Sequence, residues 1–146
     1  MSEKTREICT VVSQESIGAG IYSMWIQTDR IAADAKPGQF VSLYSRNGSK
    51  LLPRPISLCE IDKEEGKLRL VYRVTGKGTG TEEFSRLHAG VPVETLGPLG
   101  NGFPLDAVKG KKVFLMGGGI GIPPMLETAK ELDEEKIMVL GYRDEL

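Results

Sequence analysis

The sequence predicts a mainly β protein, an antiparallel barrel of six short strands followed by the first βαβ unit of an α/β domain. Two observations carry this prediction. Six apolar runs, at residues 8–12, 21–27, 39–44, 58–61, 67–74 and 91–96, are separated by turn residues at the spacing of a small antiparallel barrel. After Gly110 the pattern becomes an apolar run, a glycine loop, a helical stripe and a second apolar run, which is the order of a βαβ unit.

Each element has its own warrant. Ile8-Cys9-Thr10-Val11-Val12 is the first strand. In 21–27, Tyr22, Met24 and Ile26 share one face and Ser23, Trp25 and Gln27 the other. Pro37-Gly38 and Asn47-Gly48 bracket the third strand as turns. The polar run Asp62-Lys63-Glu64-Glu65-Gly66 joins the next two strands as a hairpin, with Leu68, Leu70, Tyr72 and Val74 on one face. Thr79 and Glu82 have capping-box spacing, so a short helix begins there with Phe84, Leu87 and His88 on one face, and Gly90 ends it. The sixth strand leads into the loop Gly97-Pro98-Leu99-Gly100-Asn101-Gly102. Beyond it, Lys112-Val113-Phe114-Leu115-Met116 and Ile137-Met138-Val139-Leu140 read as buried parallel strands. Pro123-Pro124 opens the helix between them, with Met125, Leu126, Ala129 and Leu132 as its apolar stripe. Lys109-Gly110 divides a barrel domain, 1–109, from the start of an α/β domain, 110–146, which is too short to be complete.

Composition narrows the function classes. The 146 residues, 40% apolar, suffice for one good core and part of a second. With 19 basic and 20 acidic residues there is no electrostatic footprint for nucleic acid or a membrane surface. No apolar run approaches the ~20 residues of a membrane helix, and the charged start of the chain lacks a signal-peptide core, so a cytoplasmic location is expected. Cys9 and Cys59 have no metal-ligand spacing and read as reduced thiols packed in strands. The single histidine, His88, reads as a solvated helix-end residue. No nucleophile–base set or carboxylate pair stands out, so no side chain is assigned a catalytic role.

Three short segments can carry chemistry. Gly117-Gly118-Gly119-Ile120-Gly121 precedes a helix, and backbone N–H groups there bind a pyrophosphate. Its match to the dinucleotide fingerprint is imperfect, since Pro124 takes the third glycine's slot and Gly141-Tyr142 stands where an acid is expected, with Asp144 and Glu145 close by. In Arg54-Pro55-Ile56-Ser57 the arginine offers a fork of donors to a phosphate, Pro55 keeps the segment extended, and the Ser57 hydroxyl suits a flavin ring nitrogen. Arg54 and Ser57 are three residues apart and face opposite ways on a regular strand, so serving one ligand requires a bend or an edge. Gly76-Lys77-Gly78-Thr79 again offers N–H groups and a hydroxyl to a phosphate. Taken singly, each segment also fits a plain strand or turn; together they are what a flavin dinucleotide beside a nicotinamide needs.

These segments resemble the ferredoxin-reductase superfamily, whose members join a flavin-binding barrel carrying Arg-x-(Tyr/Ile)-Ser to a nucleotide domain opening with Gly-Gly-Gly-Ile-Gly-x-x-Pro. Within it, Leu51-Leu52-Pro53-Arg54-Pro55-Ile56-Ser57, Val71-Tyr72-Arg73-Val74 and Leu96-Gly97-Pro98-Leu99-Gly100-Asn101-Gly102-Phe103-Pro104 resemble the electron-transfer subunits of NAD-dependent dihydroorotate dehydrogenases. The resemblance implies an FAD-binding barrel of the ferredoxin-reductase type and a subunit that passes electrons from NADH through FAD and a [2Fe-2S] cluster. Their destination would be an FMN-containing catalytic partner of pyrimidine biosynthesis, in a heterotetramer. It further implies that Arg54 holds the FAD phosphates, that Ile56 and Ser57 line the ring near N5 with Pro55 also in the cofactor site, and that Val71, Tyr72 and Arg73 flank it. Gly78 and Thr79 would grip the pyrophosphate, and Gly117, Gly118, Gly119 and Gly121 the NADH phosphates. The departure is at the C-terminal end, where the family's four cluster cysteines and most of its nucleotide domain have no counterpart; Cys9 and Cys59 cannot supply that cluster. Two other readings stay open: a ferredoxin–NAD(P)H reductase subunit, for which Arg143 would suit a 2′-phosphate, and a non-catalytic truncated module that binds a partner through an uncovered apolar face.

Overall fold

Alternation of apolar and polar residues builds the first hundred residues into strands that close on themselves. The computed structural model describes residues 3–46, 48 and 52–143; Asn47 of the expected turn, Leu51, Asp144 and Glu145 lie outside the described residues. The strands are β1 (Thr5–Gly18), β2 (Ile21–Gln27), β3 (Phe40–Leu43), β4 (Arg54–Asp62), β5 (Lys67–Arg73) and β6 (Pro92–Leu99). They form a closed barrel in the order β1-β2-β5-β4-β3-β6, with every neighbouring pair antiparallel. Met24, Ile26, Val41, Leu43, Leu58, Leu68 and Leu70 are fully buried inside it. Each such side chain contributes about 1.5–3 kcal/mol of transfer free energy.

Three strands outrun their apolar runs, β4 among them, since it begins at Arg54 instead of Leu58. β1 is fourteen residues long, and two register shifts against β2 let it curl from β6 to β2. β6 continues past residue 96 because Leu96 and Leu99 still find partners in β3. A helix absent from the sequence prediction, α1 (Ile31–Asp34), has Ile31 and Ala32 fully buried in the barrel core. Its leading N–H groups are satisfied by Glu7, whose carboxylate accepts from Asp29, Arg30 and Ile31 at 3.0, 3.3 and 3.1 Å.

The helix expected after residue 79 is α2 (Gly80–Phe84), continued only by turns at Arg86 and Leu87. It inserts Phe84 into the barrel core. Gln14 of β1 fastens its far end, donating to the carbonyls of Phe84 (2.9 Å) and Leu87 (2.7 Å).

The remaining chain is a parallel pair, β7 (Val113–Gly118) and β8 (Lys136–Gly141), joined through α3 (Pro123–Glu131). A second, smaller core gathers Leu115, Met125 and Leu132, with Leu105, Val108, Val113 and Ala129 packed around them. Both strands were expected to be buried, but Phe114 and Met116 are 59% and 69% exposed, and Ile137, Met138 and Val139 are exposed too. The reason is coverage: a parallel pair is buried only when both faces are covered, and here α3 covers one. The expected helical stripe also shifts. Leu126 is half-buried, whereas Glu127 and Thr128 are buried, because α3 packs on β4 as well as on β7. Among the described residues, no helix is long and apolar enough to cross a membrane.

Candidate functional site

β4 begins with the segment singled out in the sequence. Leu43 pairs with Arg54, Ser42 with Pro55, Val41 with Ile56 and Phe40 with Ser57. Strand alternation then divides the four residues. Ile56 belongs to the barrel core, while Pro55 and Ser57 are exposed on the outer face. Arg54 has the parity of the core residues, yet as the first residue of β4 it stands at the barrel end and reaches α2. Its Cγ and Nε lie 3.2 and 3.3 Å from where a Cβ on Gly80 would stand, so the glycine makes room for the arginine. Among the described residues its guanidinium has no hydrogen-bond or ion-pair partner. A planar fork of donors without an acceptor, beside the start of a helix, is a place for an anion. Arg54 and Ser57 do face opposite sides; the length of Arg54 and its terminal position bring it to the second segment.

That second segment, Gly76-Lys77-Gly78-Thr79, is held by the expected capping box. Thr79 is the N-cap of α2: its Oγ1 accepts from the Glu82 N–H at 3.3 Å and donates to the Gly76 carbonyl at 2.7 Å. Glu82 reciprocates by accepting the Gly78 N–H at 2.5 Å. Gly78 has φ +73°, a conformation that favours glycine. The capping box has a consequence for binding: a phosphate reaching the Gly78 N–H must displace the Glu82 carboxylate, whose other oxygen is paired with Arg86 at 3.1 Å. Arg73 and Lys77, exposed and without ion pairs among the described residues, add positive charge along this run.

On β5 the alternation acts again. Tyr72 points into the barrel, stacks on Tyr22 with ring centroids 5.9 Å apart, and donates its hydroxyl to Gln14 at 2.5 Å. Burial, reinforced by Tyr22, pushes its phenol well above the usual range. Val71 is buried outside the barrel core, and Arg73 is exposed. Of the flavin-site positions implied by the resemblance, Pro55, Ser57, Val71 and Arg73 thus lie on the outer face, and Ile56 and Tyr72 lie inside. Gln14, which joins Tyr72 to the far end of α2, carried no sequence signal, because its partners lie far along the chain.

The third segment ends β7. A 3-10 turn at Gly119–Gly121 leads into α3. A Cβ on Gly117 would meet the Gly121 carbonyl oxygen at 2.8 Å and Met125 Cγ at 3.1 Å, so packing alone excludes a side chain there. Gly119 needs its φ of +54°. Gly118 and Gly121 have neither reason: a Cβ on Gly121 would meet nothing within 4 Å, and one on Gly118 only the Gly141 carbonyl at 4.0 Å. Their bare backbone opens onto space, as a dinucleotide requires. The turn packs against β5, and α3 against β4, which sets this loop beside the two strands that carry Ser57 and Val71.

The residues at these three segments fit an FAD and a second dinucleotide, with an arginine unpaired among the described residues for phosphate, an outer strand face exposed at Pro55, Ser57 and Arg73 for a ring, and an unobstructed glycine loop. Of the other candidates, His88 is exposed with its ring against the Ala89 carbonyl, and Cys9 and Cys59 are buried free thiols.

Comparison with known proteins points to a flavin-binding oxidoreductase domain. The model of the oxidoreductase FAD-binding domain family matches residues 8–103. The chain is 40% identical over 141 residues to the electron transfer subunit of dihydroorotate dehydrogenase B (NAD(+)) from Enterococcus faecalis, covering 96% of this chain and 53% of that one. It is 44% identical over 141 residues to the corresponding Streptococcus mutans subunit, covering 94% and 54%. The chain therefore spans about half the length of the curated relatives it matches. Among solved structures, an NADH-dependent reduced ferredoxin-NADP oxidoreductase superposes with TM-score 0.82 at 30% identity, over 95% of this chain and 50% of that one. Phthalate dioxygenase reductase, described as transferring electrons from pyridine nucleotides to [2Fe-2S], gives TM-score 0.75 at 27% identity over 97% and 44%.

Proposed function

The chain belongs to the oxidoreductase FAD-binding domain family, and from that premise we propose that it is the FAD-binding part of an electron-transfer subunit working between NADH and a dihydroorotate dehydrogenase catalytic subunit. The observation that carries this reading is the Arg54 guanidinium, unpaired among the described residues and lying over Gly80 at the start of α2.

FAD, when bound, supplies two-electron exchange with a nicotinamide and one-electron delivery to the next centre. The chain's own share is binding, orientation and charge. Arg54 neutralises phosphate, with Thr79 and the Gly78 N–H beside it once Glu82 gives way. Ser57, exposed and without a side-chain partner among the described residues, offers a hydroxyl that both donates and accepts at the ring edge. Pro55 and Arg73 present the exposed outer face against which the ring lies, with Val71 buried on that same face, while Ile56 and Tyr72 fix the two strands from inside the barrel. Gly117, Gly118, Gly119 and Gly121 leave backbone exposed for the phosphates of NADH. Relatives named as subunits of dihydroorotate dehydrogenase B support a catalytic partner of that activity; we place its FMN and a [2Fe-2S] relay beyond the described residues of this chain.

Titration of the chain with FAD and with riboflavin tests this reading. Replacing Arg54 with Leu removes charge-assisted hydrogen bonds of about 1.5–3 kcal/mol, so FAD affinity falls by roughly 10- to 100-fold. Riboflavin, which has no phosphate, binds both proteins alike. Equal FAD affinity in the two proteins contradicts the assignment of Arg54.

A further inference from the structure

The glycine loop and the outer barrel face belong to parts with separate hydrophobic cores. The barrel core and the Leu115–Met125–Leu132 core share no residue. α3 packs on β4 and the loop against β5, outside both cores, and polar, directional contacts cross the same boundary. Past Ser57, β4 has no further β3 partner, and a register shift between Leu58 and Glu60 breaks its ladder with β5. The Ile61 N–H is donated to Glu127 Oε2 of α3 at 3.0 Å, and Glu127 is 4% exposed. Lys130, one turn on, lies 3.7 Å from Glu127 and 3.3 Å from Glu60. Glu60 pairs with Arg69 of β5 at 2.8 Å, and Arg69 donates to the Ser23 hydroxyl of β2 at 2.8 Å. Glu127 thus ties the helix that follows the glycine loop directly to β4, and through Lys130, Glu60 and Arg69 the network reaches β5 and β2.

We propose that Glu127 is a positioning residue that registers the loop of residues 117–121 against the β4–β5 face, and so sets the approach of the nicotinamide to the flavin. The proposal rests on the reading of that face as the flavin site. Glu127 stands less than two helical turns beyond Ile122, the residue at which the loop enters α3. The Ile122 N–H is itself tied to the Gly119 carbonyl at 3.1 Å, so movement of Glu127 is movement of the loop.

The test compares wild type, Glu127→Ala and Glu127→Gln by amide hydrogen exchange, with FAD affinity and NADH-dependent flavin bleaching measured on the same proteins. In Glu127→Ala, exchange at Ile61 and at residues 118–122 rises about tenfold or more, while amides of Leu68 and Leu70 keep their protection. FAD affinity stays within about twofold, and bleaching slows by about tenfold or more, since small misplacements of reacting groups are costly. Glu127→Gln, whose amide oxygen still accepts from Ile61, recovers most of the loop protection. Unchanged exchange at residues 118–122, or a rise that extends to Leu68 and Leu70, overturns the proposal. Failure of wild type to take up FAD overturns the flavin-site reading instead, and the exchange pattern then decides the role of Glu127 alone.

Discussion

Among single residues, burial assigns roles that residue type leaves open. Cys59 sits in β4 two residues beyond Ser57, and a thiol so near a redox site invites a redox role. Burial pushes its thiol up to about 11, and the Cys9 thiol up to about 12. A raised thiol pKa means that the folded state resists ionisation, so only about one Cys59 in a thousand is a thiolate at pH 8. The expected outcome is that iodoacetamide at pH 8 leaves both cysteines unmodified in native protein and labels both after denaturation, as read by mass spectrometry. Rapid native labelling of Cys59 contradicts the burial of β4 under α3. Arg54 shows the opposite case: a half-buried charged residue with no hydrogen-bond or ion-pair partner among the described residues.

Among the elements, the glycine loop contains two kinds of glycine, and substitution separates them. Gly117→Ala places a Cβ against backbone that cannot swing away, so it destabilises the β7–α3–β8 unit by about 1–3 kcal/mol. Gly121→Ala meets nothing, so thermal stability stays within about 0.5 kcal/mol while binding of NADH weakens. Melting curves and nucleotide titrations of the two variants distinguish packing from binding; equal melting temperatures for both contradict the tight packing of Gly117.

Most of these elements were legible from pattern. Alternation in 21–27 and in Leu68, Leu70 and Tyr72 located barrel strands, and Thr79 with Glu82 located the start of α2, because those signals are local. α1 was not legible, since four residues have no periodicity and its N–H groups are satisfied by Glu7 from another strand. The site was legible in part. Glycine and arginine motifs marked the segments, but the division of residues 54–57 and 71–73 between inner and outer faces depends on strand register. The Glu127 contact depends on a break in the ladder that leaves no trace in composition.

Across the whole molecule, the barrel and the β7–α3–β8 unit differ in how far their strands are covered. The barrel closes its edges, whereas β7 and β8 leave Phe114, Met116, Ile137 and Val139 uncovered on one face. Phe114 and Met116 also line a groove of about 420 Å³ with Phe103 and Pro104. An apolar surface of this kind promotes association. Sedimentation velocity of wild type is expected to show concentration-dependent association, which Phe114→Lys combined with Met116→Lys suppresses without altering barrel melting. Identical sedimentation of the two proteins contradicts an exposed sheet face.

The FAD site proposed for the barrel's outer face and the run from Arg54 to Thr79 meets its sharpest test in a visible absorption spectrum. The purified chain is incubated with FAD, the excess is removed, and any retained flavin is released by heating and identified. Flavin bands that co-purify with folded protein and release FAD are the expected result. A folded, colourless chain that takes up no FAD contradicts the site.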